Sequence, residues 1–351
     1  MSGSIRVAAI GLGWVALHRH LPVIDRSTAL QVVGVIDRRI GVARSVAAKR
    51  SYKFYAETGD LRQVPWLDQV DAVTVATSPM SHYEIINDAL ALGKHVLTEK
   101  PFVMSVDEGE RLVRLAEAAG RRLAIVHNFQ FARSTNRLVA DLAANRLGEI
   151  TAVSAIQFSN PRRRLPVWYD SLPLGLFYDE SPHLLYMLRR IAGRLRLARA
   201  FVVPSGCGLA TPARIDAYFA ADETASPVTL HCNFEAPVSE WYVVVCGKLQ
   251  IGVVDLFRDI YIRLPNDGNH TTATVVHTSA AATLQHWGQA LLRALPHLRG
   301  TMFYGNEKVF DRFARAIGGD EASLAPIGPA SALDVLALQH EIIDRGENPY
   351  G

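Results

Sequence analysis

The chain has 351 residues, more than the roughly 250–300 that a single hydrophobic core organises, so two domains are expected. Its 49% hydrophobic and 20% charged residues supply enough apolar surface to fold throughout, which excludes a largely disordered protein. The formal charge of +3 is small, and the basic residues are scattered rather than gathered into a stripe, which argues against nucleic acid as a partner.

The start, MSGSIRVAAIGLG, lacks the long apolar stretch that export needs, and no later run reaches the ~18 apolar residues of a membrane span. Cys207, Cys232 and Cys246 contain no CxxC pair and read as buried free thiols. A cytoplasmic protein without a membrane partner is therefore expected.

From Ile5 to about Val126 short apolar runs alternate with amphipathic segments. IRVAAIGLG reads as a first strand and its turn, and LQVVGVID (30–37) as the second. VDAVTVATS (70–78), KHVLTEKP (94–101) and RLAIVHN (122–128) follow, each after a helical stretch such as SHYEIINDALALG. Strands this continuously apolar are covered on both faces. The pattern predicts an α/β fold that begins with a doubly wound Rossmann domain, residues 1–127, around a parallel sheet.

Directly after the first strand stands Gly11-Leu12-Gly13-Trp14-Val15-Ala16, a GxGxxA. Its first glycine permits a tight turn, the second a close approach of backbone to a pyrophosphate, and the small third residue close packing of helix on strand. Asp37 ends the next strand, where a carboxylate accepts hydrogen bonds from adenosine ribose hydroxyls and repels a 2′-phosphate. This favours NAD. Arg38 and Arg39 follow at once and could pair with that phosphate, so NADP stays open. Gly11, Gly13, Trp14, Val15, Asp37 and Arg38 form the cofactor-binding set read here.

After Asn128 the rhythm changes. FARSTNRLVADLAANRLGEI reads as a helix ending near Gly148, and ITAVSAIQFS opens a series of strands, IDAYFAA, VTLHCNFEA, EWYVVVCG, LQIGVVDL and RDIYIRLP, separated by turn residues. Helices near 282–298, 306–318 and 329–345 close the chain. A second domain is predicted over residues 128–351, α+β with one large, open, mostly antiparallel sheet, its last helix free to pack back on the first domain. Arg162-Arg163-Arg164 and Trp168-Tyr169 occupy an irregular stretch that reads either as a lid or substrate loop, or as a solvated basic loop or subunit contact. Asp179 and His183, four residues apart, share one face if 178–190 is helical. An imidazole suits a proton shuttle, although on spacing alone such a pair is more often surface decoration. The twelve histidines do not cluster with cysteine or carboxylate at ligand spacing, so no metal site is expected.

The stretch VDAVTVATSPMSHYEIINDALALGKHVLTEKP carries Thr77-Ser78-Pro79, His82, Gly93-Lys94-His95-Val96 and Glu99-Lys100-Pro101. Farther on stand NRLVADLAANRLGEI, a GxxxDxxxH element from Gly175 through Asp179 to His183, and PASALDVLALQHEII. By these elements the chain, over nearly its whole length, resembles the Gfo/Idh/MocA family of NAD(P)-dependent oxidoreductases. The resemblance implies hydride transfer between a nicotinamide cofactor and a secondary alcohol or ketone of a sugar, nucleotide sugar or cyclitol. It implies that Lys100 contacts the reacting oxygen, with Pro101 fixing the backbone direction. It makes His183 the general base for oxidation, or acid for reduction, with Asp179 as its partner.

Cofactor contacts extend by the same likeness to Thr77, Ser78, Pro79, Glu99, Lys100, Pro101 and Asn128, while His82 either joins them or caps the helix that follows. The substrate-binding set is Lys100, Gln130, Trp168, Tyr169, Asp179 and His183. A homodimer or homotetramer through the second domain's open sheet is also implied. The chain departs from the family pattern at Pro173-Leu174, at Ser181 and Pro182, and at Asn128-Phe129-Gln130-Phe131, so the resemblance implies the hydride-transfer core and not any one relative's substrate preference. Reduction of an imine or another C=X group is the alternative within the enzyme class. A non-catalytic nucleotide-sensing or partner-binding protein is the alternative outside it, and intact Lys100, Asp179 and His183 argue against that.

Overall fold

In the computed structural model, β1 (Ile5–Ile10) lies inside a sheet rather than at its edge, because its last four residues are buried on both faces. The structure describes residues 3–162, 165–222 and 226–350. β2 (Leu30–Ile36), β3 (Phe54–Ala56), β4 (Ala72–Val75), β5 (His95–Thr98) and β6 (Leu123–Ile125) complete a six-stranded sheet in the order β3-β2-β1-β4-β5-β6. Every neighbouring pair in it is parallel. The order reverses between β1 and β4, and ligands of open α/β sheets bind outside the carboxyl ends of the strands at that switch point.

The glycine turn leads into a π-helical segment, Ala16–His20, that runs on as α1 (Leu21–Ile24). α2 (Val42–Arg50), α3 (His82–Ala91) and α4 (Val106–Ala118) connect the later strands. Ser105 caps α4 by accepting the Glu108 amide.

The second unit begins at Phe129 with α5 (Arg133–Ala143) and β7 (Ile150–Phe158), followed by α6 (Leu176–Ala192). α5 stops five residues short of the expected Gly148. β8 (Leu195–Val203), β9 (Arg214–Ala221), β10 (Val228–Asn233), β11 (Glu240–Gly247), β12 (Gln250–Asp255) and β13 (Ile260–Pro265) join β7 in the order β13-β12-β11-β7-β10-β9-β8. Only β7 and β10 pair in parallel; the other pairs are antiparallel. Along β9, β10 and β11 buried and less buried residues alternate, so one face is covered and the other open. α7 (Thr272–Leu298) begins ten residues before the helix expected near 282–298.

The compact units do not divide at a single point near residue 127. The first comprises Met1–Asn128 and Gly305–Leu336, and the second Phe129–Tyr304 and Ala337–Gly351. α8 (Asn306–Ile317) therefore belongs to the first unit, and α9 (Pro329–Arg345) begins in one and ends in the other.

Of the three cysteines only Cys232 is buried, with its thiol pushed well up by burial and then by the charge of Glu180. Cys207 is exposed and Cys246 half-buried, because PSGCGLATP forms a loop and Cys246 lies on the open face, which corrects the expectation of three buried thiols.

Candidate active site

Four strands of the first sheet end in the residues singled out from the sequence: β1 in Gly11, β2 in Asp37, β4 leads to Thr77-Ser78-Pro79 and β5 to Glu99-Lys100-Pro101. Gly11 has φ +81°, and a Cβ there would lie 2.5 Å from Thr77 Cγ2 and 2.9 Å from the Ala76 carbonyl, so only glycine permits β1 and β4 to approach this closely. A Cβ at Gly13 would meet nothing nearer than Ala76 O at 4.0 Å, which leaves its backbone open to a pyrophosphate. Trp14 is exposed and stacks on His18, and Val15 is half-buried.

Asp37 is buried, and both its oxygens are in use. Oδ2 accepts the Leu12 amide at 2.8 Å and Arg39 Nη2 at 2.7 Å, while Oδ1 accepts the Arg39 amide and Nε, each at 2.9 Å. Burial by itself raises the carboxyl's pKa, but the Arg39 guanidinium and the two amides hold it below the ordinary value. The arginine on Asp37 is therefore Arg39, while Arg38 is exposed. Arg39 also donates to the Leu12 carbonyl at 3.2 Å, so one side chain clips the second strand's end to the glycine turn.

Glu99 sits at the centre of a buried network. Its Oε1 lies 2.8 Å from His20 Nε2, whose Nδ1 is 2.8 Å from Thr74 Oγ1, and its Oε2 accepts the Lys100 amide at 3.2 Å. Burial pushes Glu99 up, but His20 and the neighbouring Lys100 charge bring it below the usual carboxylate value, so the pair is fixed as an anchor beneath Lys100. The Lys100–Pro101 peptide bond is cis. His82 is fully buried, with Nδ1 near the Pro101 and Phe102 carbonyls and Nε2 near that of Thr77. It neither caps α3 nor faces an open surface; it ties the loop after β4 to the loop after β5. Asn128, which closes the first unit, is buried.

In the second unit His183 lies on α6 in a nest of aromatic rings. Its ring centroid is 5.0 Å from that of Phe129 and 5.4 Å from that of Trp241, and Nδ1 is 2.8 Å from the Tyr186 hydroxyl. The Phe129 amide donates to that hydroxyl at 3.0 Å, so backbone, phenol and imidazole form one line. The partner found for Nδ1 is thus Tyr186, three residues on, and Asp179, half-buried, occupies the first turn of the helix, where a carboxylate is favoured. Gln130 is buried next to Phe129. Trp168 and Tyr169 are half-buried in a short helical turn, Val167–Ser171. Arg163 and Arg164 lie outside the described residues. Among the described residues no group of histidine, cysteine, aspartate or glutamate could hold a metal ion, and no helix is long and apolar enough to cross a membrane.

Sequence reasoning missed His20, Tyr186 and Trp241. Thr74, a polar residue in the fully buried β4, is the one signal that pointed to a buried partner such as His20.

Residues 5–127 match the family model GFO_IDH_MocA, an oxidoreductase family with an NAD-binding Rossmann fold. Over 172 residues the chain is 35% identical to dTDP-3,4-didehydro-2,6-dideoxy-alpha-D-glucose 3-reductase of Actinomadura kijaniata, covering 48% of this chain and 49% of the relative. Over 154 residues it is 31% identical to D-glucoside 3-dehydrogenase of Escherichia coli K12, covering 44% and 43%. The chain spans about half the length of the curated relatives it matches. Among solved structures, a variant of KijD10, a 3-ketoreductase from Actinomadura kijaniata in complex with TDP-benzene and NADP, superposes with a TM-score of 0.75 over 98% of both chains at 18% identity, a likeness of fold.

Proposed function

We propose that this chain, whose residues 5–127 match the Gfo/Idh/MocA oxidoreductase family with its NAD-binding Rossmann fold, catalyses hydride transfer at a secondary alcohol or ketone of a sugar, nucleotide sugar or cyclitol. The observation that carries the reading is the carboxyl edge of the first sheet, where Gly11, Asp37, Thr77 and Lys100 follow four strands around the switch point. The open backbone at Gly13 and the acidic end of β2 fit a dinucleotide. When bound, its nicotinamide ring gives or takes the hydride.

This chain's own residues supply the rest. The Lys100 ammonium stabilises the negative charge that develops on the substrate oxygen, an interaction stronger in the transition state than in the ground state. His183 exchanges the hydroxyl proton, with Tyr186 holding its Nδ1 and so the orientation of the ring. Asp179, in the first turn of the same helix, orients substrate and imidazole. The sugar-like substrate class rests on the likeness to a dTDP-sugar reductase and a D-glucoside dehydrogenase.

The direct test is to follow nicotinamide absorbance while the protein meets a panel of polyols, cyclitols, glycosides and nucleotide sugars, in both directions, with each cofactor. Turnover of a member of that panel is expected. Tight cofactor binding without turnover of any of them would leave the nucleotide-sensing alternative standing, and no cofactor binding at all would defeat both.

A further inference from the structure

A surface helix ordinarily turns its apolar stripe inward and its polar face to water, and α7 does the reverse. On its inner side Gln285 Nε2 donates to the Arg263 carbonyl at 2.9 Å while its Oε1 accepts the Arg263 amide at 2.9 Å. Gln289 repeats the pair on Tyr261, at 2.7 and 3.1 Å. Four residues of helix rise about 6 Å and two residues of strand about 6.8 Å. The two glutamines therefore match alternate residues of β13 and satisfy the sheet's edge as a further strand would. Arg293, the helix's single charged residue, lies 3.3 Å from Asp259.

Outward, Leu284, Trp287, Leu291, Leu295 and Leu298 follow one another at spacings of three or four, with Leu292 on the flank. These six are 51–86% exposed, and the small residues on the same side are Ala280, Gly288 and Ala294. No residue of the 27-residue helix is buried.

We propose that this face is a self-association seam, on which a second copy of the chain lays its own α7 across a two-fold axis. At roughly 130–150 Å² of exposed surface per large side chain, the six present on the order of 800 Å², about what one partner contributes to a standard stable interface and more than monomers usually expose. Two such faces carry no charge to repel one another, and depletion of charge is what an interface core shows. A regular spacing of large apolar residues along one helix is self-complementary about a two-fold axis. A partner that adds a strand is excluded at this edge, because the glutamines already occupy the Tyr261 and Arg263 backbone groups. A lipid surface is the poorer match, since membrane-surface helices carry Lys and Arg on their polar face, and the one arginine here is paired with Asp259. The seam is independent of the catalytic reading and adds to, rather than replaces, pairing through the open face of the sheet.

Sedimentation velocity of the full chain at micromolar concentration tests it. The wild type is expected to sediment as a dimer or a tetramer, and Leu291→Glu/Leu295→Glu at half the wild-type mass with an unchanged far-ultraviolet circular dichroism spectrum. A monomeric wild type, or a wild-type mass that survives the α7 double variant, overturns the proposal. So does a monomer that co-sediments with phosphatidylglycerol vesicles. Should the double variant fail to fold, dilution of the wild type from micromolar to nanomolar gives the answer. Its tryptophan emission should shift to the red as the seam opens, and the shift should vanish in Trp287→Phe; emission independent of concentration contradicts the seam.

Discussion

The Asp37 carboxylate clips the end of β2 to the glycine turn, and we propose that it also meets the adenosine ribose hydroxyls. Because Arg39 grips both oxygens, the negative charge is kept but partly neutralised, and on this proposal discrimination against a 2′-phosphate rests on that remainder, opposed by the exposed Arg38. NADH is expected to bind more tightly than NADPH. Asp37→Ala should narrow the difference, and Arg38→Ala should weaken NADPH more than NADH. Fluorescence titration at a single salt concentration measures all of these, and tighter binding of NADPH by the wild type would remove Asp37 from the ribose.

His95, in the GKHV element, illustrates a residue whose motif says less than its position. Its Nδ1 accepts the Arg122 amide at 2.9 Å, which only an unprotonated nitrogen can do, and burial followed by the charges of Arg121 and Arg122 lowers its pKa from 6.5 to about 4. The folded chain thus binds this proton less readily than the unfolded one, so stability is complete above pH 6.5 and declines as pH falls from 6.5 towards 4. Thermal midpoints measured at pH 7 and at pH 5 should separate less in His95→Gln, whose amide oxygen can still accept the bond, than in the wild type. An equal separation would show that other groups carry the acid sensitivity.

At the scale of elements, α6 contains a proline that the resemblance marked only as a departure. Pro182 has no amide to give the Tyr178 carbonyl four residues earlier, a loss that breaks most helices. Gln339 of α9 replaces it: Nε2 donates to Tyr178 O at 2.7 Å and to Ser181 Oγ at 2.8 Å, and Gln339 is fully buried. The helix stays unbroken through Asp179 and His183 because of a side chain more than 150 residues away in sequence. Gln339→Leu should cost about 1–3 kcal/mol, the usual penalty for a buried acceptor left unpaired. In a Pro182→Ala background, where a backbone amide returns, the same change should cost clearly less, and urea unfolding of the four proteins measures that coupling. Strict additivity would show that the glutamine does not stand in for the missing amide.

The same elements show how far sequence patterns reach. β1, β2, β4, β5 and β6 were legible because both-face burial leaves uninterrupted apolar runs, and the site at their ends was legible because GxGxxA, Asp37 and EKP are local. β3 has only three residues, and β8 mixes arginines into LRLARAFVV, so neither stands out. The first ten residues of α7, rich in threonine and valine, lack helical periodicity, so the sequence pattern starts this helix only near 282. Tyr186 and Gln339 act through contacts that no spacing encodes, and the helix face that four-residue spacing gives Asp179 and His183 carried no hint that Tyr186 holds Nδ1.

For the whole molecule, the return of residues 305–336 to the first unit means that the nucleotide domain is not a contiguous piece of chain. The Ile327 carbonyl accepts the Ile125 amide, the Ala316 carbonyl accepts Arg122 Nε, and Phe310 meets His20 edge-on at 5.1 Å. Val309, Phe310 and Phe313 are buried there. A fragment ending at residue 128 should accordingly fail to give a cooperative thermal transition, whereas an N-terminal fragment that melts like the full chain would show the later segment to be dispensable.

The central claim is that Lys100 and His183 act on one hydride transfer, and single-turnover kinetics in Lys100→Met and His183→Ala, with a substrate drawn from the panel, test it most directly. Removing a positioned acid–base group typically costs about 10²–10⁴ in rate, so each variant should lose hydride transfer by that order while its affinity for NADH stays within a few-fold of wild type. Near-wild-type transfer in both variants would contradict the account and move the chemistry elsewhere, with the turn carrying Trp168 and Tyr169 as the next place to look.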